Sequence, residues 1–443
     1  MLSKFWREWR FPIEFALLLA LAFFLPLREA PKNLFWLAYV VTWVANRAFL
    51  QRGERDFGGP WDHWDTLFAA WIVSGYAAAL FAGIPTPEGN EWGAVNDLVR
   101  YVSLAWCVRR AGYTRAQALA LLAMLAASAA LGTVEALWRW KIGHTKKALE
   151  LVSVGHVNHS AIYLTICVGI AAGLLCALWR SIGGAARTAL GAVTLLMTVA
   201  ILMTDSRAAF ITVLPLVLIC AFFTIRAGVF GVRAWAMVLG GMALALAFGG
   251  IGSVERHVAH ALQNNITAER DLIWNRALVA TRANLWFGVG MDNFSRITDE
   301  RLQEWLAGKG QRYEPNDYRR APHAHSLYLN TLAERGAVGM ALVLLVLGAW
   351  GVRLWRLRPR AGGDTQETVL WCAAFSGWFV TVLIGIANTT MHHEHAILAV
   401  LTLSLWLARP AVAVAPSVPE VVRAAPPAEG VPQAEGAPQA LAS

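Results

Sequence analysis

The chain has 443 residues, 57% of them hydrophobic and only 15% charged, with a formal net charge of +9 and a mean hydropathy of +0.47. Soluble domains carry roughly a quarter charged residues, so this chain lacks the polar surface that a water-soluble enzyme needs. The composition predicts an all-α, polytopic integral membrane protein, with no nucleic-acid partner.

A membrane-crossing helix needs about 20 predominantly apolar residues, because lipid satisfies no backbone polar group. About twelve such runs are expected, beginning near Phe11, Asn33, Trp64, Ala94, Arg115, His159, Arg187, Ala208, Arg233, Ser326, Thr368 and His395. The run from Asp97 to Val108 is short and carries Arg100. The first run follows Lys4, Arg7 and Arg10 and resembles a signal sequence, but no small-residue cleavage site follows it and it is expected to be retained. The layout is therefore residues 1–251 with spans one to nine, a loop over 252–325, residues 326–409 with the last three spans, and an Ala/Pro-rich tail over 410–443. That tail cannot bury a core and is expected to be a disordered cytoplasmic extension. The five cysteines, Cys107, Cys167, Cys176, Cys220 and Cys372, fall in or beside apolar runs, which predicts small hydrophobes and neither disulfides nor a zinc site.

Lys and Arg accumulate in short cytoplasmic loops. Arg47, Arg52, Arg55, Arg109, Arg110, Arg115, Arg180, Arg187, Arg226, Arg233, Arg353, Arg356, Arg358 and Arg360 fall in alternate short connections, with the N-terminal three on the same side. Both termini are expected inside, and the loop over 252–325 outside.

That loop is itself basic, with Arg256, Arg270, Arg276, Arg282, Arg296, Arg301, Lys309, Arg312, Arg319 and Arg320. Long loops translocate regardless of charge, yet so many arginines call for an anion. A helix is expected over about 267–284, N-capped by Thr267, with Ile273, Ala277 and Ala280 on one face and Arg270 in its first turn. An arginine beside free helix N–H groups suits a phosphate oxygen. Gly288-Val289-Gly290-Met291-Asp292-Asn293 begins like a dinucleotide fingerprint but lacks the third glycine and the preceding strand, so a tight turn is expected.

The loop re-enters the membrane through His323-Ala324-His325-Ser326, near Arg319-Arg320, and continues to Gly336-Ala337-Val338-Gly339. Arg207 lies in the short turn Asp205-Ser206-Arg207 on the same expected face. Ionisable groups at a membrane edge are costly and point to function. Glu334 and Arg335 are expected to form an internal ion pair. Met391-His392-His393-Glu394-His395 lacks the helical His-Glu-x-x-His spacing of a zinc site, and a plain turn is expected there. His156 and His159 are a further pair at the outer start of span six.

His325-Ser326, then Gly336-x-x-Gly339, together with Ser206-Arg207, Arg270-x-x-x-Trp274 and Gly288-Val289-Gly290…Asn293-Phe294, resembles the signature of O-antigen ligases of the O-antigen ligase/polymerase superfamily. The likeness covers roughly Thr204 to Met340 at motif level, and the remainder only as hydropathy. It implies a GT-C-like glycosyltransferase of the bacterial inner membrane, with twelve spans and one large periplasmic loop. Such an enzyme moves O-antigen from undecaprenyl pyrophosphate to a sugar hydroxyl of the lipid A core, completing lipopolysaccharide. The resemblance assigns His325 as catalytic base and Arg207, Arg270 and, more weakly, Arg319 to the pyrophosphate, with His323 as a possible substrate contact. No cofactor and no metal are expected, and an inverting displacement follows. An O-antigen polymerase or a protein O-oligosaccharide ligase of the same superfamily is the alternative. A secondary transporter would show two related halves, which this sequence does not.

Overall fold

Each of the twelve apolar runs forms a helix in the computed structural model, which describes residues 2–48, 57–86, 89–204, 206–229, 232–245 and 270–408. In chain order these are α1 (Leu2–Phe24), α2 (Glu29–Ala48), α3 (His63–Leu80), α4 (Asn90–Arg110), α5 (Arg115–Leu137, continued by a π-turn Trp138–Ile142), α6 (Val157–Ala177), α7 (Gly184–Met203), α8 (Arg207–Arg226) and α9 (Val232–Ala245). Two helices of the loop follow, α10 (Arg270–Ala283) and α11 (Asp299–Ala307), and then α12 (Leu327–Arg356), α13 (Thr365–Ile384) and α14 (His393–Leu407). The described residues contain no strand.

Among the described residues, six helices are long and apolar enough to cross a membrane: α5 with its extension, α6, α7, α8, α12 and α13. The protein is thus an all-helical polytopic membrane protein, with six such spans where twelve were expected. The other apolar runs are helical but do not meet that length and apolarity, α14 having only 15 residues.

The burial pattern agrees with a lipid surround. Ile211, Leu214, Leu218, Phe222 and Ile225 form an exposed apolar stripe at helical spacing on α8, and Leu34, Leu37, Val41 and Val44 do so on α2. In contrast, α6 is buried from His159 to its C-terminal end at Ala177. Its Gly169 and Gly173 allow this, because a Cβ on Gly169 would lie 2.0 Å from the Ser376 hydroxyl and one on Gly173 would lie 3.0 Å from the Cys372 Cβ. Small residues set such close helix contacts where lipid gives no hydrophobic drive. All five cysteines are free and buried.

Where the start of α3 meets the end of α4, distant from the loop, charges are paired. Asp65 accepts from Arg109 (2.7 Å) and Arg110 (2.6 Å), and Asp62 also pairs with Arg109. Arg47 is held by Glu14 at 2.8 Å in the same layer of the protein.

The loop makes its own small core from Ile273, Ala277 and Ala280 of α10, Leu302 and Leu306 of α11, and Val289, Phe294 and Ile297 between them. The α10 face is the one the sequence spacing indicates. Thr267, the expected cap, lies outside the described residues. Arg276 is buried here: it donates to the carbonyls of Ile297 and Arg319 and pairs with Asp299. It is a strut of the loop, not a cation open to a ligand.

Candidate active site

The site is built around a break in α12. Gly336 has φ +63°, ψ −166° inside an otherwise helical run. No other residue fits, since a Cβ there would lie 2.3 Å from the Trp286 carbonyl carbon. The break frees backbone groups, and the segment after α10 takes them up. Val289 N–H donates to Ala333 O (2.8 Å), Gly290 N–H to Glu334 O (3.1 Å), Ala337 N–H to Leu285 O (2.7 Å) and Val338 N–H to Trp286 O (3.2 Å). Gly288, at φ +74°, is pressed equally close, 2.3 Å from the Glu334 carbonyl carbon. The turn at Gly288-Val289-Gly290 therefore does more than reverse the chain. It is the bracket that holds the broken helix.

The expected Glu334–Arg335 ion pair does not form. Flanking the break, the two side chains leave in different directions. Glu334 accepts from Asn330 Nδ2 (2.9 Å) and Phe294 N–H (3.3 Å), while Arg335 donates to the Ser74 hydroxyl (2.5 Å) and the Trp71 carbonyl (3.3 Å).

The short piece of α12 before the break presents the histidines. Ser326 is its N-cap, accepting from Leu329 N–H (3.4 Å) and donating to Gly385 O (3.4 Å). His325, just before it, sits at φ +50°. Left-handed backbone at a non-glycine residue is uncommon and collects at functional sites. Ala324 is tied on both sides: its N–H donates to Asn330 Oδ1 (2.9 Å) and its carbonyl accepts from Trp274 Nε1 (3.1 Å). The Arg270-x-x-x-Trp274 spacing now has a reason. Trp274 fixes α10 against the histidine segment, and Arg270 stands one turn away on the same helix.

Arg270 and Arg207 feel one another, and Arg270 also acts on His325. Burial and the nearby Arg207 lower the Arg270 pKa. Neither arginine has a carboxylate partner among the described residues. Arg207 opens α8, and the Ser206 hydroxyl before it is buried without a hydrogen-bond partner. Two half-buried cations, a helix N-terminus and an orphaned hydroxyl together form a place for an anion. Arg319 is placed differently. Its backbone joins α10 through Leu272 and Arg276, and its side chain is exposed.

The largest feature that sequence reading divided into separate parts is a cluster of seven histidines, out of 11 in the chain. His159 is its hub, with ring centroids at 5.8 Å from His156, 6.1 Å from His323, 6.1 Å from His392, 5.3 Å from His393 and 5.1 Å from His395. His323 lies 4.3 Å from His325. His159 and His395 are buried and form the base, while His156, His323, His325, His392 and His393 remain at least partly accessible. Among the described residues no group of three His, Cys, Asp or Glu side chains is arranged to hold a metal ion. Burial, then His323, Arg270 and His156, push the His325 pKa down to about 4. His323 is lowered as well, by burial and His156. His325 is thus a neutral imidazole near pH 7, able to take a proton.

A family model described as O-Antigen ligase matches residues 192–344. Over that stretch the chain is similar to the O-antigen ligases, which supports membership of the O-antigen ligase superfamily. The matched segment contains Arg207, Arg270, Arg319, His323, His325 and the Gly336 break, and leaves His156, His159 and the α14 histidines outside it. At the superfamily level the match points to glycosyltransferase-like ligase chemistry with lipid-linked sugars. A comparison with curated proteins gives no match.

Proposed function

We propose that this protein transfers O-antigen from undecaprenyl pyrophosphate to a sugar hydroxyl of the lipid A core. The reaction takes place at the periplasmic face of the bacterial inner membrane. The observation that carries this reading is that Arg270 feels the charge of Arg207 and itself acts on His325, while neither arginine has a carboxylate partner among the described residues. Buried or half-buried cations are normally paired, so an anionic substrate is the partner this pair lacks.

The chemistry follows from the placement. His325 removes the proton of the acceptor hydroxyl as its oxygen bonds to the anomeric carbon of the donor. The bond from that carbon to the phosphate oxygen breaks, and its electron pair leaves with the pyrophosphate. Arg207, Arg270 and the N-terminus of α8 stabilise that charge, as guanidinium clamps do for other phosphoryl groups. Attack opposite the leaving group inverts the anomeric carbon. No step calls on a metal ion, and none calls on a cofactor. In this reading all twelve apolar helices span or enter the bilayer, both termini are cytoplasmic, and membrane lipid surrounds the exposed stripes of α2 and α8.

The alternative within the superfamily is a polymerase that joins two lipid-linked repeats. Purified protein incubated with undecaprenyl-pyrophosphate-linked O-antigen and lipid A core separates the two. Glycan appearing on lipid A supports the ligase. Glycan lengthening on undecaprenyl pyrophosphate alone would make the protein a polymerase.

A further inference from the structure

The mechanism above uses one end of the histidine cluster and leaves the other, on the α13–α14 turn, without a role. His393 mirrors His325. It has a left-handed backbone, φ +51°, and Met391 before it has φ +61°. Its side chain is exposed, while its neighbours Glu394 and His395 are buried. The two histidines are linked through ring contacts from His325 to His323, His159 and His393. They are linked by backbone too, because Leu327 N–H donates to Gly385 O (2.8 Å) and Asn388 O (3.0 Å) at the start of that turn.

A buried ion pair holds this turn. Glu394, between His393 and His395, pairs with Lys32 of α2, with side chains 6% and 3% exposed. The Ser153 hydroxyl also donates to Glu394 (3.5 Å). Burying two charges carries a desolvation cost that is recovered only with good geometry, so such a pair is weak evidence for stability and better evidence for fixing a position. The charge balance then sets the two sides of the cluster apart. The cations His393 feels are Lys32 and Arg100. Lys32 is spent on Glu394, and Arg100 is paired with Asp97 at 3.2 Å. These two cations are thus each paired, while Arg207 and Arg270 have no carboxylate partner among the described residues.

We propose that His393 contacts the acceptor sugar, and that the Lys32–Glu394 pair is the positioning device that holds it there. An anionic donor belongs with the arginines. A neutral hydroxylated ring belongs with an imidazole, whose two nitrogens donate and accept hydrogen bonds. His325 then lies between the two substrates, where a base for the acceptor hydroxyl is needed. This inference rests on the transfer reaction proposed above.

The test is steady-state kinetics on His393→Asn, since asparagine tolerates the left-handed backbone. The Michaelis constant for lipid A core is expected to rise about tenfold, the loss of one or two hydrogen bonds, with kcat and the donor Michaelis constant near wild type. Glu394→Gln is expected to raise the acceptor constant in the same way. Lys32→Met/Glu394→Met, which removes the pair while keeping the packing volume, is expected to leave it raised, because the pair itself fixes the turn. An unchanged acceptor constant in His393→Asn, or a fall in kcat alone, overturns the proposal. Direct binding of lipid A core to folded wild type and His393→Asn separates this from failure of the reaction. If wild type binds without transferring, the variant must still bind more weakly. If wild type binds neither donor nor lipid A core, both readings fall.

Discussion

The two ends of the helix bundle use the same residue types to opposite effect. At the end bearing Asp62, Asp65, Arg109 and Arg110, every one of these charges has an opposite partner, and Arg110 is further satisfied by the carbonyls of Phe57, Gly59 and Pro60. At the histidine end, Arg270 feels the charge of Arg207, and neither has a carboxylate partner among the described residues. The first arrangement is complete as it stands and ties helices together. In the mechanism proposed above, the second is completed by the anionic donor. In that mechanism, whether an arginine's charge is already matched, more than its burial, separates structural from functional cations.

Removing the base should break this arrangement most severely. His325→Ala is expected to lower transfer about a hundred- to ten-thousand-fold with the fold intact, as read from product formation and thermal unfolding in detergent. Losing one unpaired cation comes next. Arg207→Gln or Arg270→Gln is expected to lower kcat about a hundred- to a thousand-fold, the scale for a lost charge-stabilising donor. At the paired end the outcome reverses. Asp65→Asn leaves Arg109 and Arg110 uncompensated in a buried site and is expected to cost about 3–5 kcal/mol of stability, while the folded fraction keeps its turnover.

The pH profile sharpens the same contrast. With the His325 pKa near 4, below the ordinary value of about 6.5, kcat/KM is expected to be flat around neutrality and to fall only in acid. Arg270→Gln removes a neighbouring cation, so its acid limb should move to higher pH. Stability carries the matching sign. The unfolded chain binds the His325 proton from about pH 6.5 downward and the folded one only near 4, so stability is lost as pH falls through that window. Arg319→Gln should have the smallest effect. Its side chain is exposed, and a change in stability within about 0.5 kcal/mol is expected.

The helices were readable because apolar runs of this length leave a chain little alternative. The Ser326 cap and the apolar face of α10 were equally local and equally legible. What the sequence hid was non-local. Gly336 follows Glu334-Arg335 in a stretch whose spacing reads as one continuous helix, so only the approach of Trp286 reveals the break. Adjacency suggested an ion pair for Glu334 and Arg335, but the break sends them to Asn330 and Ser74 instead. Arg276 resembled the other loop arginines until the fold buried it against Asp299. The histidines of 156–159, 323–325 and 392–395 come from three distant stretches, and only the packing of α6 against α13 and α14 brings them together.

The most direct test of the account is binding of undecaprenyl pyrophosphate to the purified wild-type, Arg207→Gln, Arg270→Gln and His325→Ala proteins, with transfer measured in parallel. The account predicts that both arginine variants bind the lipid pyrophosphate weakly, and that His325→Ala binds it at least as well as wild type yet transfers almost nothing. Wild-type affinity in both arginine variants, or undiminished transfer by His325→Ala, would contradict it.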